Sequence, residues 1–408
     1  MRLSSRSGRT ESDLDTSDVA TRSSGPGTSS VGTLLARGET HPLLMTIGLR
    51  CFSCSRTYDI GTRDWRCSCG GLFNLEGTAP FAPVRRGSYQ PWSMWRYRRS
   101  LPTIGSGERW EHISLGEGST PIVQDSPGVL LKLDFLMPTL SFKDRGSVVL
   151  VAAASELGIR QVVADSSGNA GVSIAAYGAR AGISTEVFVP SSTSPSKIAQ
   201  LEAFGAVVRH VTGSRAEAAL AAMSRLEETG AFYASHVYNP FFHHGTKTFA
   251  YECYEQLAGR MPEAVVVPAG NGTLLLGAAL GFAELVETGL LDRPPRLFAV
   301  QASNCSPLAK ARGLNVSGFA ETAAEGIAIQ TPPRLEEMMT AIDSTNGGLL
   351  LVEEDSILRA RTVLRSQGLD VEPTAAAGYA ALDVLDRQEL DSVLVALTGA
   401  GVKDLRAG

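Results

Sequence analysis

From about residue 161 to residue 397, short apolar runs alternate with helical patterns, and this alternation is what most constrains the fold. Runs at 161–165, 185–189, 207–211, 264–267, 297–301, 349–352 and 392–397 read as strands, with another near Tyr233. Stretches at 170–181, 197–204, 216–229, 245–257, 274–287, 357–366 and 375–386 read as helices. Gly182, Gly205 and Gly230 stand just past three of them, where a helix stop is expected. Strands separated by helices require parallel sheets covered on both faces, joined by right-handed crossovers. The expected class is α/β, with no repeat of solenoid period.

In such sheets ligands bind beyond the carboxyl ends of the strands, near helix N-termini. Three loops there draw notice. Ser166-Ser167-Gly168-Asn169 follows the first strand of the regular series; it offers small residues and an amide, or it is an ordinary capped turn. Gly270-Asn271-Gly272-Thr273 opens an apolar helix, so its backbone N–H groups can form an anion nest suited to phosphate. Gly277 lies too far on for a dinucleotide fingerprint. Thr398 stands in a Gly-rich turn after the last strand, where its hydroxyl can face a ring nitrogen or simply end the strand.

A fourth element precedes the series. Ser141-Phe142-Lys143-Asp144-Arg145-Gly146 has a capping-box pattern, Ser141 with Asp144, predicting a helix that starts there and stops at Gly158. Lys143 then falls in the first turn, whose positive field favours the neutral amine. On its own it reads better as a surface lysine than as a nucleophile.

Taken in order, SFKDRG, SSGNAG, PAGNGT and LTGAG resemble the fold type II pyridoxal-phosphate enzymes, and within them the threonine synthase branch. LGEGSTP at 115–121, NPFFHHGTKT at 239–248 and EPTAAAGYAAL at 372–382 extend the resemblance over roughly 45–405. It implies two parallel-sheet α/β domains: a large one from 78–139 and 241–408, and a small mobile one at 140–240 that closes over substrate. It implies that Lys143 carries pyridoxal 5'-phosphate as a Schiff base and then shuttles protons. Asn169 would meet the cofactor's 3′ oxygen, Gly270, Asn271, Gly272 and Thr273 its phosphate, and Thr398 its pyridine nitrogen. Ser166 and Ser167 would bind the substrate carboxylate. The implied reaction is O-phosphohomoserine and water to threonine and phosphate, in a homodimer. A second cationic pocket is then needed for the substrate phosphate. Arg145, Lys197, Arg215 and Lys247 are the candidates, each equally readable as a surface or structural charge. Other readings are β-elimination, as in serine or threonine ammonia-lyases, β-replacement, as in cysteine or cysteate synthases, and a non-catalytic regulatory paralogue.

Three departures from the branch bear on substrate. Phe242-His243-His244 replaces an Arg-Ile-Glu run, Ala400 replaces a histidine, and Met137 and Leu140 replace Asn and Gly before the lysine. The first is expected to remove a charge pair near the substrate side, the second an acid/base or phosphate contact, and the third to reshape the wall beside Lys143.

The remainder is appended to this body. Cys51-x2-Cys54 and Cys67-x-Cys69, twelve residues apart, have the layout of a zinc ribbon over 45–77, with a second pair tighter than usual. The alternative is a metal-free relic with reduced thiols. Residues 78–112, rich in Pro, Arg and Trp, are expected to wrap the body or another subunit. Residues 1–44 are poor in large apolar side chains and read as a disordered tail. Net charge −5 argues against a nucleic-acid partner, and no apolar run is long enough to span a bilayer. Glu11, Asp13, Asp15 and Asp18 argue against a transit peptide, so cytoplasm is expected.

Overall fold

The computed structural model describes residues 47–84, 91–102, 104–316, 318–387 and 390–404, so the tail expected at 1–44 lies outside the described residues. Among the described residues thirteen strands follow in chain order. They are β1 (Gly48–Cys51), β2 (Thr57–Asp59), β3 (Phe73–Glu76), β4 (Ile122–Ser126), β5 (Val129–Lys132) and β6 (Gln161–Ala164). Next come β7 (Ser184–Pro190), β8 (Val207–Val211), β9 (Phe232–Tyr233) and β10 (Ala264–Pro268). The last three are β11 (Arg296–Ala302), β12 (Gly348–Val352) and β13 (Val393–Ala396).

They form three sheets. One has the order β12-β11-β10-β13-β5-β4 and is parallel except for the edge strand β4, which runs against β5. A second, β8-β7-β6-β9, is parallel throughout. The third, β2-β1-β3, is antiparallel and holds the four clustered cysteines' segment.

Side chains along the central strands point alternately into two cores as the pleat demands, and both are buried. In the six-stranded sheet, Val129, Leu131, Val266, Val393 and Val395 face one core, with the helices Glu354–Ser366 and Pro373–Ala380. Leu130, Val265, Val267, Leu394 and Ala396 face another, with Thr248–Gln256, Thr273–Glu287 and Leu335–Ser344. The four-stranded sheet divides the same way: Val162, Ala164, Val187 and Val189 on one side, Val163, Phe188 and Tyr233 on the other. Both faces are covered, so both sets are apolar and the strands read as continuous runs.

The helix Lys143–Glu156 begins at the expected place by a different device. Ser141 and Asp144 form no capping box. The Asp144 carboxylate instead accepts from the Thr139 backbone N–H at 2.7 Å, from the Thr139 hydroxyl, and from Ser173 Oγ at 2.6 Å. It therefore ties the lead-in turn to the neighbouring helix Asn169–Ala181. The single helix expected at 245–257 is two, Phe241–Thr246 and Thr248–Gln256. The first starts early because Asn239 Oδ1 accepts from the Phe241 N–H at 3.1 Å and Pro240 fixes the preceding φ.

Candidate active site

A cavity of about 980 Å3 opens at the carboxyl ends of both parallel sheets. The loops after β6, β10 and β13 all reach it, so the structure brings Lys143, Ser166, Ser167, Asn169, the 270–273 loop and Thr398 to one place.

Backbone bonds fix the lysine's turn against the last loop. The Phe142 N–H donates to Thr398 O at 3.0 Å, the Ala400 N–H donates to Leu140 O at 3.0 Å, and Ser141 bridges Gly399. Lys143 Nζ then donates to Thr273 Oγ1 at 3.0 Å and lies 4.4 Å from the Phe142 ring and 5.8 Å from the Phe242 ring. Burial penalises the charged amine and lowers its pKa to about 7, while the Glu372 carboxylate pulls the other way. A large share of Lys143 is thus a free amine at neutral pH, the state a nucleophile or base requires.

Two of the four candidate phosphate-binding cations are elsewhere. Arg145 is completely buried and does not line the cavity. Its Nε and Nη2 each meet Asp134 at 2.8 Å, and its Nη1 meets Glu252 at 3.0 Å. Lys132 pairs with the same Glu252 at 2.5 Å. Burial would raise the Glu252 pKa, but Arg145 and Lys132 overcome it and hold the carboxyl at about 2. Lys247 is likewise buried and pairs with Glu284 at 2.7 Å. Both are structural charges, which corrects the expectation for them. Lys197 and Arg215 do line the cavity. They start two helices flanking the four-stranded sheet and converge on Glu325, at 2.6 Å and 3.6 Å.

The loop geometry fits pyridoxal phosphate. Gly272 has φ +73°, and a Cβ there would run into Met338. A Cβ on Gly270 would come 2.7 Å from Gly326 O and 2.9 Å from Ile327 Cα. Only glycine lets this strand-to-helix turn close, which leaves the loop without side chains at Gly270 and Gly272 where it lines the cavity. Thr398 Oγ1 is buried with no hydrogen-bond partner among the described residues, so it has a free bond for a ring nitrogen. Asn169 is engaged: its Nδ2 donates to both Glu372 oxygens at 3.0 Å, and its Oδ1 accepts from Lys403.

The departures stand behind the wall. None of Met137, Leu140, Phe242, His243, His244 or Ala400 lines the cavity, so the expected reshaping does not occur through direct contact. Leu140 keeps the left-handed backbone a glycine would favour, φ +63°, while its side chain packs on the large-sheet core. Burial keeps both histidines well below their ordinary pKa and hence neutral; His243 Nε2 and His244 Nδ1 lack partners among the described residues.

Sequence reasoning missed His236, Glu325, Glu372 and Lys403, all of which line the cavity. Glu372 opens the EPTAAAGYAAL stretch and Lys403 follows LTGAG, so both stood beside quoted motifs. His236 carried no local signal.

A family model described as "Pyridoxal-phosphate dependent enzyme" matches residues 113–399, and the chain belongs to that family. Its curated relatives narrow the assignment. The chain is 32% identical over 380 residues to a threonine synthase of Methanocaldococcus jannaschii, covering 87% of this chain and 92% of that protein. It is 32% identical over 332 residues to a threonine synthase of Mycobacterium tuberculosis (strain ATCC 25618 / H37Rv), covering 78% and 90%. Among solved structures, a threonine deaminase from "T.th." is similar at TM-score 0.57 and 26% identity, covering 67% of this chain and 87% of that one. An aspartate racemase shares the fold at TM-score 0.62 and 21% identity, covering 76% and 100%. The chain is a lyase of the threonine synthase-like branch, dependent on pyridoxal phosphate.

Proposed function

We propose that the enzyme converts O-phosphohomoserine and water into threonine and phosphate. One observation supports this reading beyond the family assignment: the cavity is lined both by the 270–273 loop and by a pair of cations, Lys197 and Arg215. The Gly270–Thr273 nest suits the cofactor's phosphate, and Lys197 with Arg215 suits a second, substrate-borne one. In the free enzyme Glu325 occupies both cations, and an incoming dianion competes with a single carboxylate for them.

Bound pyridoxal phosphate supplies an electron sink for the carbanion formed at the substrate's α carbon. Lys143 would hold the cofactor, and Thr398 would hydrogen-bond its ring nitrogen. A neutral hydroxyl there leaves that nitrogen largely unprotonated, which suits elimination and replacement. Asn169, oriented by Glu372 and Lys403, would meet the ring oxygen. Ser166 and Ser167 bind the substrate carboxylate. The Lys143 amine, once released, would take the α proton, pass it on, and then take the β proton. Phosphate leaves from the γ carbon, which a proton from Lys143 turns into the methyl group. Water adds at the β carbon with loss of its proton, and the α carbon is reprotonated. The lowered pKa of Lys143 lets the same nitrogen both accept and donate near neutral pH.

The four-stranded sheet's helices carry Lys197 and Arg215, whereas the nest belongs to the six-stranded sheet. This supports a small domain at about 140–240 that closes over substrate. The proposal extends to a structural zinc in the ribbon at 45–77, to a homodimer and to a cytoplasmic enzyme. Among the described residues no helix is long and apolar enough to cross a membrane.

The test is a panel of O-phosphohomoserine, threonine, serine and O-phosphoserine offered to purified holoenzyme. Threonine and phosphate from the first substrate support the reading. Turnover restricted to 2-oxobutyrate or pyruvate, or to β-substituted products when a nucleophile is added, assigns β-chemistry and refutes it.

A further inference from the structure

The cysteine ribbon is joined to the catalytic cavity by one buried guanidinium. Arg334 directly precedes the helix Leu335–Ser344 and is 1% exposed. On its outer side Nη2 donates to Phe73 O at 2.8 Å and Nη1 to Asn74 Oδ1 at 2.9 Å, both on β3. On its inner side Nε donates to Val237 O at 2.7 Å, and Nη2 reaches Tyr238 O at 3.4 Å. Glu337 balances the charge at 2.7 Å and also accepts from Asn74 Nδ2 at 3.0 Å.

Both ends of this bridge lead to chemistry. Val237 and Tyr238 line the cavity together with His236, whose Nε2 lies 3.4 Å from Asn271 Nδ2 in the phosphate loop. Phe73 is the backbone partner of Cys51 across β1 and β3. A second contact runs in parallel: Trp65 packs edge-on against Tyr238 at 4.9 Å and Tyr233 at 5.7 Å.

The four cysteines fit a thiolate metal site. Cys51 and Cys69 sulfurs are 3.6 Å apart, Cys54 and Cys67 sulfurs 3.5 Å, and all four lie within 4.8 Å of one another. A tetrahedron with bonds of about 2.3 Å has edges of about 3.8 Å. The ribbon's strands have four, three and four residues around a small apolar core. So small a sheet relies on such a centre to keep its shape.

We propose that Arg334 is a positioning residue that couples the cysteine cluster to the cofactor's phosphate loop. With the cluster intact, β3 presents Phe73 O and Asn74 to Arg334, which holds the Val237–Tyr238 wall and so the His236–Asn271 contact. When the ribbon loosens, a buried guanidinium loses its outer acceptors. Unpaired N–H groups in an apolar setting are costly, so Arg334 follows the displaced strand or turns to water. The inner wall then loses its anchor. The ribbon thereby acts as an outer brace of the active site. The inference rests on the family assignment and not on the substrate.

The test is a two-by-two comparison of cofactor dissociation constants, measured by visible absorbance without any substrate. Wild type and Arg334→Met are each loaded with zinc, or stripped of it by a chelator, with zinc counted by elemental analysis and Trp65 environment followed by fluorescence. Zinc removal should weaken cofactor binding in wild type by about tenfold, a coupling within the usual range for residues in one network. Arg334→Met should weaken it by a similar factor and be indifferent to zinc. Arg334→Lys should not restore the coupling, because one ammonium cannot span both sides. Asn74→Ala, which trims only the outer side, should show a smaller loss in a folded protein if Arg334→Met does not fold. The proposal is overturned by any of three results: no stoichiometric zinc, an unchanged cofactor constant on zinc removal, or equal sensitivity to zinc in both backgrounds. None of these bears on which amino acid the enzyme consumes.

Discussion

Attachment of pyridoxal phosphate to the apoenzyme should switch on near pH 7, because the attacking group is the free amine of Lys143. Burial sets that amine's pKa at about 7, far below the ordinary 10.5. At pH 8 roughly 90% of it is then unprotonated, against about 0.3% for an exposed lysine, an advantage of about 300-fold. Below pH 7 the rate should fall about tenfold per unit as the amine takes up a proton. Glu372 is the group that favours the charged form, so Glu372→Gln should move the midpoint lower. The assay is stopped-flow absorbance after mixing apoenzyme with pyridoxal phosphate across pH, referenced to a model amine to remove the cofactor's own titrations. A midpoint near 10, or an upward shift in Glu372→Gln, would refute the reasoning. The same burial carries a stability consequence. The folded pKa lies below the unfolded one, so the cost to stability is absent above about pH 10.5, grows as pH falls, and is complete below about pH 7, bounded by about 5 kcal/mol. Lys143→Met should therefore raise the melting temperature of the apoenzyme at neutral pH while abolishing cofactor attachment.

Other outcomes follow from the charges around the cavity. Arg145→Met leaves Asp134 and Glu252 buried and short of a partner, and should cost about 3–5 kcal/mol in denaturant unfolding. Lys197→Met with Arg215→Met should raise KM for the phosphorylated substrate at least tenfold while sparing cofactor absorbance; Glu325→Gln, which removes the competing carboxylate, should lower it. Equal KM in all three would rule out the second anion site. Gly272→Ala forces a side chain into Met338 at a positive φ, and should reduce cofactor affinity as read by equilibrium dialysis.

The elements that could be read from sequence are those whose burial is uniform. β10 is buried along its whole length and announces itself as a run of valines. β4 escaped notice because it is an edge strand whose residues are mostly half-buried, so neither alternation nor an apolar run marks it. Lys143, Asn169, the 270–273 loop and Thr398 were legible because each sits in a short motif at a strand or helix end. The cations were not. Arg145 and Lys247 look no different in sequence from Lys197 and Arg215. What separates them is partners 11, 107 and 37 residues away, Asp134, Glu252 and Glu284. His236 was invisible for the same reason: its role arises where a segment after β9 meets the loop after β10. Met137 and Leu140 misled in the opposite direction, since proximity to Lys143 in sequence did not place their side chains in the cavity.

The central claim, that this cavity carries a threonine synthase reaction, is tested most directly by turnover of O-phosphohomoserine in deuterated water. Threonine and phosphate are expected in equal amounts, with deuterium at the α carbon and in the methyl group, where the γ carbon is reprotonated. Absence of threonine from a fully cofactor-loaded enzyme, or phosphate released without threonine, would contradict it.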